Sequence, residues 1–114
     1  MSDSTAEAIV VFITAGSPDE ADKLANLLIQ KRLAACVQIL PSIQSVYWWQ
    51  DKIERQPEIL LLVKTISSKF AELEREVRAV HSYETPEIVA IPVAAGSEQY
   101  LDWLSSTFRV FRGS

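Results

Sequence analysis

The chain has one histidine and one cysteine, and both side chains can hold soft or borderline metal ions. His81 opens the stretch HSYETPEI, residues 81–88, and Cys36 closes the run Ala34-Ala35-Cys36. A thiolate and an imidazole together suit copper or zinc. The two lie 45 positions apart, and no CxxC or HxxxH spacing supports a shared centre. Each also has a plainer reading. Cys36 reads as a small apolar residue in a strand. His81 reads as a helix C-terminal residue, favoured there by the helix dipole when charged. Tyr83, Glu84 and Glu87 surround Pro86, which restricts Thr85 to extended geometry. That segment is either a rigid link from helix to strand or a cleft wall in which Tyr83 and Glu87 face a neighbouring subunit. Lys64 ends an apolar strand, where its ammonium either meets solvent or draws an anion to a cleft mouth.

Catalysis finds little material. A Cys–His pair or paired glutamates can do nucleophilic or acid–base work. The chain has only one histidine, no nucleophile elbow, and three glycines with no phosphate-cradling cluster. The reading is a protein that is not an enzyme.

The elements that must carry these residues follow from hydrophobic spacing. AIVVFIT, residues 8–14, reads as a strand. A helix follows, with Ser17 as N-cap, Pro18 at the first helical position and Glu20 as the return half of a capping box. Ala21, Leu24, Ala25 and Leu28 share one of its faces. Residues 34–50 have a strand pattern interrupted at Pro41-Ser42, and DKIERQPEILLLVKT returns as its hairpin partner, with the turn around Asp51. A second helix starts near Ser67, with Phe70, Leu73, Val77 and Val80 on one face and a Glu74–Arg78 pair on the other. Residues 87–93 form a fourth strand, whose Pro92 predicts a strand end or an edge. Gly96-Ser97 opens a short helix with Tyr100, Leu101, Trp103 and Leu104. The order β-α-β-β-α-β plus a terminal helix is that of an α+β, ferredoxin-like fold. Residues 1–6 read as a flexible polar arm and 7–112 as a single domain.

Two features predict that one copy is incomplete. In such a fold, two helices cover one face of the sheet and the other should alternate with polar residues. Ile9–Ile13, Ile59–Val63 and Ile88–Ile91 are apolar on both faces instead, which calls for another copy of the chain. Residues 34–50 as one strand would also span roughly 55 Å at about 3.3 Å per residue. A body of this size has a radius of gyration of only about 13 Å. The hairpin must therefore bend or project. Its outer half carries Val46, Tyr47, Trp48 and Trp49, which suits an intersubunit clasp.

Bulk composition narrows the partners. The 114 residues are 48% hydrophobic and 23% charged, with a net charge of −4 and no Lys/Arg run, so nucleic acid is not expected. A single cysteine makes no internal disulfide and suits a reducing compartment. The start, MSDSTAEA, lacks a signal-peptide pattern, and no apolar run nears the roughly 20 residues of a membrane helix. Cytoplasmic location without membrane insertion is expected.

In their order, RLAACVQILPSIQSVYWWQDKIE, LLLVKT, HSYETPEIVAIPV and YLDWL closely resemble the CutA divalent-cation-tolerance family, from about residue 9 to residue 107. The resemblance implies a ferredoxin-like homotrimer locked by its hairpin arms. It also implies a link to tolerance of copper and other divalent metals, with Cys36 and His81 as copper ligands and Glu87 as their acidic partner. No metal is expected to be needed for folding. The architecture also resembles the PII signalling trimers, which take small effectors between subunits. In that alternative, Lys64, Tyr83, Glu84, Glu87 and Trp48 are the cleft candidates. A trimeric scaffold for a protein partner is the third possibility. The chain departs from the family pattern at Ser42, where the family often has glycine, at Asp51, where it usually has glycine, and at Ser82, where it has proline.

Overall fold

The computed structural model describes residues 7–109. Its elements run β1 (Ala8–Ala15), α1 (Pro18–Gln30), β2 (Cys36–Trp49), β3 (Lys52–Ile66), α2 (Phe70–Val80), β4 (Ile88–Pro92) and α3 (Glu98–Ser106). A 3-10 turn at Ser67–Lys69 leads into α2, so the α-helix starts three residues after the expected Ser67. The four strands form one antiparallel sheet in the order β2-β3-β1-β4. β4 is thus an edge strand, where Pro92 removes no internal ladder bond.

The register assigns each side chain its face. Ile9, Val11, Ile13 and Ala15 oppose Thr65, Val63, Leu61 and Ile59, and all eight are buried. They meet Ala21, Leu24 and Leu28 of α1 and Leu73 and Val77 of α2. Val80 leaves that helix face and is exposed. The buried hydroxyl of Thr65 donates to the Leu33 carbonyl at 2.8 Å. Glu74 and Arg78 lie 3.9 Å apart, as their spacing predicts.

The alternate residues build the outer face. Phe12 and Leu62 oppose each other there, and Phe12 also opposes Val89. α3 packs on β3 and β1, with Tyr100 beneath the Lys64 ammonium at 5.9 Å and Leu104 buried. It does not reach the whole face, since Val89 and Ile91 stay 52% and 47% exposed.

The β2–β3 hairpin makes the molecule long, with extents of 54 × 29 × 22 Å and a radius of gyration of 15.5 Å. β2 does not break at Pro41-Ser42; its register slips between Leu40 and Ile43 and the strand continues. Beyond the slip, Trp48 pairs with Ile53 and Val46 with Arg55 on one side of the arm. Trp48 is 72% exposed. At the tip, Trp49 pairs with Lys52, leaving a two-residue turn with φ of 50° at Gln50 and 64° at Asp51. Two left-handed residues are what a type I′ hairpin turn requires. Asp51→Gly relieves one of these conformations, partly offset by a freer unfolded chain. The expected gain is about 0.5 kcal/mol, seen as a higher guanidinium midpoint at unchanged slope.

Candidate functional site

The donors expected to act together lie at opposite ends of the sheet. Cys36 begins β2 and opposes Lys64, which opposes Val10 on β1. Its neighbour Val37 packs on the core, so the Cys36 thiol lies on the outer face, half-buried. His81 ends α2, and its ring reaches Thr14. Thr14 shares a row with Leu60 and Leu40, four residues along β2 from Cys36. That is about 13 Å along the strands and two strand spacings, about 10 Å, across them. Ligands of one metal ion sit about 2 Å from it, so Cys36 and His81 of one chain do not share an ion. Among the described residues, no three His, Cys, Asp or Glu side chains are arranged to hold one. A centre using both requires more than one chain.

The residues around His81 form a continuous hydrogen-bonded network. His81 has extended backbone, φ −74° and ψ 143°, which turns the chain out of α2. Its side chain is fully buried. Nε2 lies 2.7 Å from the Thr14 carbonyl oxygen, which only accepts, so Nε2 donates. Nδ1 accepts from the Tyr83 amide at 3.0 Å. The ring also stacks at a tilt on Tyr83, with centroids 4.9 Å apart. Glu20 Oε2 is 3.5 Å from Nδ1. An ion pair there would need a proton on Nδ1, where the Tyr83 N–H already points, so the amide contact defines the geometry.

Glu20 is held by other donors. Its carboxylate accepts from the Gly16 amide at 3.0 Å, the Ser82 amide at 2.7 Å and the Ser82 hydroxyl at 3.0 Å. Burial alone would raise its pKa. The amides of Gly16 and Ser82 and the Ser82 hydroxyl outweigh that and hold it below the usual glutamate value. The Ser17 hydroxyl accepts from the Glu20 amide as expected, but the return bond goes to Gly16 instead of Ser17. A proline at 82 would have no N–H to offer Glu20. Ser82 instead fixes this link to Glu20 with two hydrogen bonds.

Tyr83 carries the network to the arm. Its hydroxyl donates to Glu58 Oε2 at 2.8 Å, and Ser45 of β2 donates to Glu58 Oε1 at 2.5 Å. The Tyr83 pKa is pushed up to about 12, first by burial, then by the hydrogen bond to Glu58 and its charge. Glu87 titrates above the usual glutamate value, through burial and then Glu58. Gly16 gives Tyr83 its room: a Cβ at 16 would lie 3.0 Å from the Tyr83 hydroxyl oxygen. Glu20, Lys23, Gln56, Ser82 and Tyr83 line an open cleft of about 550 Å³.

Of the other candidates, Lys64 lies under α3 on the outer face, Glu84 is exposed, and Trp48 is at the arm tip. Tyr83 lines the cleft and bonds Glu58, whose charge Glu87 feels, while Glu87, Lys64, Glu84 and Trp48 do not line this cleft. Sequence reading missed Glu58 and Ser45 and saw Glu20 only as a cap. The one available signal for Glu58 was a lone carboxylate at the head of the apolar run EILLLV.

A family model for the CutA1 divalent ion tolerance protein matches residues 9–107. The chain belongs to the CutA family. It is 50% identical over 97 residues to the divalent-cation tolerance protein CutA of Archaeoglobus fulgidus, covering 85% of this chain and 94% of that one. It is 43% identical over 108 residues to the chloroplastic protein CutA of Arabidopsis thaliana, covering 95% of this chain and 59% of that one. A solved structure described as the periplasmic divalent cation tolerance protein CutA from Archaeoglobus fulgidus superposes with a TM-score of 0.84 at 48% identity, covering 88% of this chain and 97% of that one. These CutA proteins carry different compartment labels, so family membership does not fix a location. No helix among the described residues is long and apolar enough to cross a membrane.

Glu20→Gln keeps the size of the side chain but cannot accept from all three donors. A loss of about 2 kcal/mol is expected. Because the folded pKa is lowered, this stabilisation is complete above the usual glutamate range and disappears as pH falls through the folded value. The melting-temperature gap between wild type and variant should therefore close in acid. Tyr83→Phe leaves Glu58 short of a donor and should cost about 1–2 kcal/mol at neutral pH, measurable by chemical denaturation.

Proposed function

We propose that the chain works as a cytoplasmic homotrimer of ferredoxin-like subunits that binds divalent metal, copper foremost, and contributes to metal tolerance. The observation that carries the assembly is the outer sheet face, apolar at Phe12, Leu62, Val89 and Ile91 and only partly covered by α3. A second apolar surface, Trp48 with Val46 and Ile53, projects on the arm. Family membership supports the link to divalent-cation tolerance. Of the donors Cys36, His81 and Glu87, Cys36 is the softest, and it lies on the outer face, where a neighbouring copy can add ligands.

One observation favours a second reading, that of a small-molecule sensor: the cleft beside Tyr83, where Lys23 and Gln56 face open space. Thermal-shift screening of nucleotides and small anions separates the two, since a ligand of the native state raises its melting point.

Sedimentation of the purified protein should give three times the chain mass, and a stable monomer would remove the basis of the reading. Copper titration should show Cys36→Ser binding at least about tenfold more weakly than wild type, about 1.4 kcal/mol. Equal affinity would exclude the thiol.

A further inference from the structure

We propose that His81 is a positioning residue for the wall of the cleft and is not a metal ligand. A metal ion takes the lone pair of an imidazole nitrogen. His81 has one lone pair to give, on Nδ1, and the Tyr83 amide already points at it from 3.0 Å. The other nitrogen carries its proton toward the Thr14 carbonyl at 2.7 Å. Metal at Nδ1 would strand the Tyr83 amide; metal at Nε2 would strip a proton and break the bond to Thr14. The side chain is fully buried, so water cannot replace either partner.

The fixed ring positions a chain of contacts that ends on the arm. It holds the backbone of Tyr83, whose hydroxyl holds Glu58, which in turn holds Ser45 of β2. Glu20 pins the intervening Ser82 through both its amide and its hydroxyl. Ser82 and Tyr83 line the cleft and Glu58 supports it from β3, so the ring fixes the cleft wall against the hairpin. Any metal bound by the assembled protein takes its donors elsewhere.

His81 is the only histidine, so in untagged protein every imidazole nitrogen resonance belongs to it. A long-range proton–nitrogen spectrum should show protonated Nε2 and unprotonated Nδ1. Both signals should stay in place when one equivalent of copper(I) is added. His81→Asn keeps a side-chain oxygen able to accept from the amide two residues on. It should preserve slow exchange of the Tyr83 amide, whereas His81→Ala should speed that exchange at least about tenfold. Copper affinity should remain within about twofold in His81→Asn. A protonated Nδ1, a ring nitrogen that shifts with stoichiometric copper, or a tenfold loss of copper affinity in His81→Asn with Tyr83 still protected would overturn the assignment. If wild type binds no copper, the metal reading fails by itself, and the tautomer and the Tyr83 exchange still decide the role of His81.

Discussion

β1 and β3 zip together from the Ala8–Ile66 pair to the Ala15–Ile59 pair, and both strands are apolar on their two sides. Each alternate residue buried against α1 and α2 sends its neighbour to the other face. Burying Val11, Ile13, Leu61 and Val63 therefore commits Phe12 and Leu62 to the outer side. A sheet with one wet face would carry polar residues there. Here the short α3 covers one end, through Leu104 and Tyr100, and the β4 edge keeps its apolar side chains in the open. The fold is complete around its inner core and unfinished on its outer face, and both follow from one pair of strands.

The opposite end of the sheet is held by polar contacts. Two carboxylates, Glu20 and Glu58, are drawn out of solvent and satisfied by amides and hydroxyls. Buried carboxylates without donors are costly, yet among the described residues no buried side-chain oxygen or nitrogen lacks a partner. The donors come from the β1–α1 turn, the exit from α2 and the base of the arm. Three segments far apart in sequence are thus fixed to one another where helix packing alone would leave them loose. Glu87 shows the alternative: burial first and then the charge of Glu58 make it hold its proton more tightly.

Much of the architecture was legible because it rests on local chemistry. Ser17 and Pro18 start α1 where a cap and a proline belong, and the apolar spacing of Leu24, Leu28, Leu73 and Val77 marks the buried helix faces. The turn at Asp51 was visible as a polar break, although its left-handed pair begins one residue earlier at Gln50. Pro41-Ser42 predicted an interruption, but a strand can absorb an extra residue as a register slip and continue. The site was far less legible. Its partners are fixed by long-range register, and sequence spacing carries no information about that. Thr14 meets His81 across 67 positions and Glu20 meets Ser82 across 62. Histidine and cysteine attract notice by type, while the glutamates that organise the cleft look like ordinary solvated charges.

Side-chain type and placement separate the two metal candidates. His81 has the better coordinating ring but spends both nitrogens on its own backbone. Cys36 sits in the half-open row with Lys64, on the face that Val89 and Ile91 leave apolar. Among the described residues no three His, Cys, Asp or Glu side chains are arranged to hold a metal ion, so further donors for Cys36 must come from outside its own chain. If copies cover that face as proposed, the event that buries the apolar row also brings donors toward Cys36. Assembly and metal binding would then draw on the same surface, and neither would be readable from one subunit alone.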